Sequence, residues 1–162
     1  MTDMTDETMD AITRAVELGR AGDADAARSA LVDLWAAIGP EGDALHRCTL
    51  AHYLADLYDD AAQALMWDVR ALDAADALGD ARVQQYHAGL AVRGFYPSLH
   101  LNLADNLRRL GSFDAARAHV DAAAGYLDAL GDDDYGQMIR GALDGVGAAI
   151  AEGFTALRAS AP

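Results

Sequence analysis

The stretch Ser98–Ala124, SLHLNLADNLRRLGSFDAARAHVDAAA, decides the fold of this chain, because it spells two amphipathic helices joined by a glycine turn. From Leu99 onward the leucines at 103, 107 and 110 recur at helical spacing, and the preceding proline is tolerated in a first helical turn. Gly111 supplies the backbone freedom that ends the first helix. A second apolar stripe then follows at alternating spacings of four and three residues: Ala116, Val120, Ala123, Leu127 and Leu130. The stretch therefore predicts helices over about 97–110 and 113–130 that pack antiparallel.

This hairpin resembles a tetratricopeptide repeat, a helical pair of roughly 34 residues. The resemblance rests on large, small and turn residues at that family's spacings: Leu103, Ala104, Leu107, Gly111, Ala116 and Ala123. His100 stands where the family carries a tryptophan. The resemblance implies an all-α, right-handed solenoid of antiparallel helix pairs whose concave groove binds a ligand.

Two earlier copies of the repeat are predicted. One lies 53 residues before the hairpin of Ser98–Ala124, because Leu50 is matched with Leu103. This spacing is longer than one repeat. We therefore expect an inserted helix at about 81–93. A weaker copy runs from Ala11 to Ala27, with Arg14 at a position where leucine is expected.

The sequence predicts one TPR-like domain over residues 1–162, with about eight helices and no sheet. Repeat-like pairs cover about 5–38, 42–78 and 97–130, and a capping helix covers about 135–157. The individual helices are expected at about 5–20, 23–38, 42–58, 60–78, 81–93, 97–110, 113–130 and 135–157.

Composition restricts the classes of partner. The formal net charge is −14, with 26 acidic residues against 12 arginines and no lysine, so nucleic acid and anionic membranes are poor partners. A single cysteine and an acidic N-terminal stretch predict a cytoplasmic protein without internal disulfides, and no apolar run is long enough to cross a bilayer. A face of small residues at 141, 145 and 148 offers a route to a homodimer through the last helix.

Common enzyme motifs are absent from the sequence. It contains no phosphate-binding loop, Gly-x-Ser-x-Gly, His-Glu-x-x-His or calcium loop, which favours a binding protein without a cofactor over an enzyme.

The resemblance implies which side chains line the groove. It places there Ser98, Leu101, Asn102, Asp105, Arg108 and Arg109 in the best copy, and Leu45, Cys48, Thr49, His52 and Asp56 in the copy before it. Asn102 occupies the position where peptide-binding members of the family carry an asparagine that holds the ligand backbone. A protein or peptide partner is therefore expected, bound by Thr49, His52, Asp56, Ser98, Asn102, Asp105 and Arg109.

An alternative function rests on Cys48 and His52, which are four residues apart and share a helix face. With His87 from the inserted helix, they could hold a soft transition metal. A pocket around Cys48, His52, His87, His100 and Asn102 would instead take a small molecule, as a binding protein or an enzyme. The opposing interpretation is that Cys48 is a small buried hydrophobe, since free cysteine is among the most buried residue types.

Overall fold

The computed structural model describes residues 6–78 and 94–158 of the chain. These residues form seven α-helices and no strand, which confirms the all-α prediction. The helices are α1 (Glu7–Arg20), α2 (Ala24–Ile38), α3 (Ala44–Ala55), α4 (Ala61–Ala77), α5 (Tyr96–Arg109), α6 (Phe113–Ala124) and α7 (Asp134–Ala151), with a 3-10 turn at Leu127–Ala129. The helix predicted at 81–93 lies outside the described residues.

The chain divides into two compact units, Met1–Leu78 and Gly79–Pro162. In the first unit α1 packs on α2 and α3 packs on α4, while α3 also contacts α1 and α2. In the second unit α5 packs on α6, and α7 contacts both of these helices. The expectation of a single folding domain stays a prediction.

Aspartate side chains begin five of the seven described helices. Each accepts a hydrogen bond from a backbone N–H of the first turn, where such donors have no partner within the helix. A carboxylate there also interacts favourably with the helix dipole. These N-cap residues are Asp6, Asp23, Asp43, Asp60 and Asp133. Part of the strong acidity of the chain therefore stabilises helix starts.

Glycines with positive φ follow four of the described helices, and three of these glycines share one hydrogen-bond pattern. Gly22, Gly111 and Gly153 have φ of 103°, 77° and 68°. In each case the glycine N–H and the following N–H bond back to carbonyls of the last helical turn, as in Gly111 N to Arg108 O at 2.9 Å. The sequence predicted the turn at Gly111, and the helices predicted at 5–20 and 23–38 leave Gly22 in the turn between them.

Two predicted helix ends are wrong. The helix expected to reach 130 ends at Ala124, and Leu127 and Leu130 pack on the core from the 3-10 turn and the residue after it. The helix expected to reach 157 ends at Ala151, because Gly153 adopts a positive φ and turns the chain. Phe154 and Leu157 therefore lie beyond the helix and are 46% and 66% exposed.

The core of the second unit joins α5, α6 and α7. Its buried members are Leu101, Ala104, Ala116, Ala123, Ile139, Leu143, Val146 and Ile150. In the first unit α1 contributes Ile12 to the core, whereas Leu18 of the predicted weak repeat copy is 39% exposed.

The small-residue face predicted for the last helix is partly covered by the chain itself. A Cβ on Gly145 would collide with the guanidinium of Arg158, and that guanidinium donates to the carbonyl of Ala142 at 3.4 Å. Nothing lies within 4 Å of a Cβ built on Gly141. A homodimer through this helix stays a prediction, and Gly145 is not an open part of the face.

Among the described helices, none has the length and apolar character needed to cross a membrane.

Candidate functional site

Cys48 lies on the buried side of α3. Burial raises the pKa of its thiol to about 12, so the thiol stays protonated at neutral pH. Because the thiolate is the form of cysteine that binds a metal or attacks a substrate, this environment opposes metal binding and nucleophilic chemistry at Cys48. It fits the interpretation of Cys48 as a small core residue.

His52 lies one turn further along α3 and is partly exposed. Its Nδ1 lies 4.0 Å from Oδ1 of Asp68, a buried residue of α4. Burial lowers the pKa of His52, while the carboxylate of Asp56 acts in the opposite direction. No group of three or more His, Cys, Asp or Glu side chains suited to a metal occurs in the part of the chain that is described, and His87 lies outside it. The metal site at Cys48, His52 and His87 stays a prediction.

Three of the predicted groove positions on α5 are buried. Leu101 belongs to the core with α6 and α7, and Arg108 is 0% exposed, so their assignment to an open groove is wrong. Ser98 is also buried, and its hydroxyl donates to the carbonyl of Phe95 at 3.2 Å. The helix is covered on more than one side, which a single apolar stripe does not reveal.

Arg108 holds the segment that follows α7. Its Nη1 donates to the carbonyls of Phe154 and Ala156 at 2.7 and 2.9 Å, and its Nε donates to Asp105 at 2.9 Å. The guanidinium also lies 5.8 Å from the ring centroid of Phe154. Its hydrogen bonds and ion pair compensate the cost of burying the charge.

Six other predicted ligand-binding residues keep part of their surface exposed. On each helix they are spaced by three and then four residues, so they share one helix face. They are Thr49, His52 and Asp56 from α3 and the residue after it, and Asn102, Asp105 and Arg109 from α5. We call these two sets the α3 polar face and the α5 polar face.

The second unit also contains a stack of rings that includes His100. Nδ1 of His100 lies 3.0 Å from Nδ1 of His119 on α6, and the two rings are stacked with centroids 5.2 Å apart. Tyr96 stacks on Tyr126 at 4.7 Å, and both tyrosines adjoin the His100 ring. Burial lowers the pKa of His119 and so favours its neutral imidazole. The hydrogen bond between the two Nδ1 atoms needs one protonated and one unprotonated nitrogen, which neutral rings can provide.

The first unit contains a cluster of two tryptophans and two arginines. The rings of Trp35 and Trp67 meet edge to face with centroids 5.2 Å apart. The guanidinium of Arg47 lies 4.1 Å from the Trp35 centroid, and that of Arg70 lies 5.6 Å from Trp35 and 4.5 Å from Trp67. A cavity of about 320 Å³ beside these residues is lined by Trp35, Ala36, Gly39, Pro40, Arg47 and Arg70. We call it the Trp35 cleft.

Sequence reasoning did not find the Trp35 cleft. Its residues come from α2, the turn after it, α3 and α4, and no periodic pattern connects them. Trp67 is buried and packs edge to face against Trp35. One usable signal was that the chain contains only two tryptophans, both in its first half.

The small-molecule pocket predicted around Cys48, His52, His87, His100 and Asn102 draws on both compact units and on a residue outside the described ranges. It stays a prediction.

Comparison of the chain with protein-family models, with curated proteins and with solved structures gives no match. The functional argument therefore rests on the residues themselves.

Proposed function

We propose that this chain is a binding protein built from TPR-like helical hairpins, which holds a peptide or protein segment on the polar faces of their first helices. The observation that carries the proposal is the equivalence of the α3 and α5 polar faces. Thr49, His52 and Asp56 precede Asn102, Asp105 and Arg109 by the same 53 residues, and all six side chains reach the surface at least in part.

The burial of the two helices repeats at the same spacing, which supports a repeat. Leu50 and Ala51 of α3 are buried, as are Leu103 and Ala104 of α5. The positions of Leu45, Cys48 and Ala55 are likewise buried again 53 residues later, in Ser98, Leu101 and Arg108. Two helices that bury equivalent positions leave equivalent positions for a ligand.

The chemistry of the α5 polar face suits a peptide. The amide of Asn102 can donate to a backbone carbonyl and accept from a backbone N–H. Arg109 lies two turns further along the helix and offers a planar fork of donors to a carboxylate. Asp105, between them, is held in place by the Nε of buried Arg108 at 2.9 Å. Such a face would fix an extended segment by its main chain and one acidic group.

Selection from a random peptide library displayed on phage tests the proposal, with the immobilised full chain as the target. Peptides recovered on the wild-type chain should bind the Asn102→Ala and Arg109→Ala variants about 5-fold to 100-fold more weakly, because polar groups of the peptide lose their partners. Thr49→Ala tests the α3 polar face separately, and it should weaken those selected peptides that the Asn102 and Arg109 variants still bind normally.

The matched control is Arg117→Ala, which removes an exposed arginine from α6 and should leave binding unchanged. If no peptide is selected, or if Arg117→Ala is as defective as Arg109→Ala, the proposal is wrong.

A further inference from the structure

We propose that the Trp35 cleft is a binding site for a small organic carboxylate with a flat apolar body. The site lies in the first unit, on α2, α3, α4 and the turn after α2, and does not use the polar faces assigned to peptide binding. It is therefore a second site.

The charge of the cleft argues for an anion. The guanidiniums of Arg47 and Arg70 both lie within 6 Å of the centroid of one indole ring, so two positive charges adjoin the same small cavity. No carboxylate lines this cavity, and neither arginine forms an ion pair within the described ranges 6–78 and 94–158. This arrangement is unexpected in a chain with 26 acidic residues, and a bound carboxylate would offset the repulsion between the two cations.

The donors of the cleft are partly oriented in advance. Arg47 donates through Nη1 to the carbonyl of Gly39, which positions its guanidinium beside the cavity. Gly39 itself has a φ of 72°, a conformation that side-chain-bearing residues rarely adopt, so the turn that carries this carbonyl is specific to glycine. The Arg70 guanidinium lies over the rings of Trp35 and Trp67, and no residue within 6–78 and 94–158 accepts a hydrogen bond from it.

The walls of the cleft argue for an apolar body on the anion. Besides the two arginines, Trp35, Ala36 and Pro40 line the cavity and add aromatic and aliphatic surface to it. The volume of about 320 Å³ is at the lower end of the range for small-molecule sites. A benzoate-sized molecule matches the combination of one anionic group and one flat face better than a bare inorganic ion does.

Tryptophan fluorescence tests the proposal directly, because Trp35 and Trp67 are the only tryptophans of the chain and both belong to this cluster. The full chain is titrated at constant ionic strength with benzoate, with its neutral isostere benzamide and with inorganic phosphate. We expect benzoate to produce a saturable change in emission, and benzamide and phosphate to bind at least about tenfold more weakly. Equal affinity for benzoate and benzamide, or tighter binding of phosphate, would overturn the proposal.

Arginine variants locate the site. Arg47→Gln and Arg70→Gln should each weaken benzoate binding about tenfold or more, because each removes a charged hydrogen-bond donor. Arg14→Gln is the matched control: it removes the same charge from an exposed position of α1 in the same unit and should bind normally. If the two cleft variants bind like Arg14→Gln, benzoate is not held in the cleft and the proposal fails.

A measurement on the wild-type chain covers the case in which a cleft variant does not fold. Benzoate that binds the folded state must raise the melting temperature, and more so than benzamide at the same concentration. An equal shift with both compounds, or no shift, contradicts the proposal. The Trp35 cleft and the two polar faces share no residue. A failed peptide selection would therefore contradict the proposed peptide binding but not benzoate binding in the cleft.

Discussion

The Arg108 guanidinium is fully buried yet carries a positive charge, so its contribution to stability depends on its partners. Two carbonyls after α7 and the carboxylate of Asp105 accept its hydrogen bonds. At the equivalent position of α3, 53 residues earlier, stands the small buried Ala55. Arg108 therefore binds a segment 46 residues away in the chain, at a position where α3 has only a small packed side chain.

Replacing Arg108 by alanine should lower the free energy of unfolding by about 2 to 4 kcal/mol. The substitution leaves the carbonyls of Phe154 and Ala156 without their donor and opens a cavity beside α5. The sequence alone placed Arg108 in an open groove, where the loss of an exposed side chain would change stability little. Urea denaturation followed by circular dichroism measures the change.

Arg117→Ala serves as the comparison, since its exposed side chain should contribute within about 0.5 kcal/mol. Equal losses for both variants would mean that the bonds of Arg108 add nothing to stability.

At the scale of the helix, glycine has opposite effects inside a helix and just beyond its end. Gly153 follows α7 at a positive φ, and the N–H of Phe154 after it bonds to the carbonyl of Ala149 at 2.9 Å. Gly141 lies within α7, is exposed, and has nothing within 4 Å of where a Cβ would stand. The same residue type thus terminates the helix at one position and weakens it at the other.

The substitutions Gly153→Ala and Gly141→Ala should therefore change stability in opposite directions. Alanine at 153 should cost about 1 kcal/mol, because an L side chain disfavours the left-handed conformation. Alanine at 141 should stabilise by about 0.5 to 1 kcal/mol, since it restricts the unfolded chain and fits the helix. Melting curves of the two variants and the wild type provide the measurement. Stabilisation by Gly153→Ala would contradict the positive φ of Gly153 in the turn after α7.

At the scale of the whole molecule, the two compact units can unfold either in one cooperative step or in two separate steps. Both tryptophans lie in the first unit, whereas helical circular dichroism reports on α1 to α7 together. The two signals can therefore distinguish one unfolding step from two.

We predict a single step, as expected for one stacked-helix domain. Unfolding curves from tryptophan fluorescence and from circular dichroism should coincide in urea. Arg108→Ala, in the second unit, should lower the midpoint seen by tryptophan fluorescence in the first unit. Separate midpoints, or a fluorescence curve that Arg108→Ala does not move, would mean that the two units unfold independently.

Much of the fold followed from local patterns. Leucines at helical spacing predicted α5, and Leu50 and Leu103, matched from the sequence, are both buried. The candidate site was harder to predict: a stripe shows which side of a helix is apolar but not that a second side is also covered. For this reason Leu101 and Arg108 were assigned to a groove although both are buried.

The sequence by itself determined the helical class, the glycine turns at 22 and 111, and the shared spacing of the α3 and α5 polar faces. These are properties of residues close together in the chain, where periodicity and backbone preference act directly. Only the tertiary structure decided that Arg108 would anchor the segment after α7 and that Trp35, Arg47 and Arg70 would meet at one cleft. Such contacts join segments that are far apart in sequence, and they depend on how helices pack rather than on any local preference.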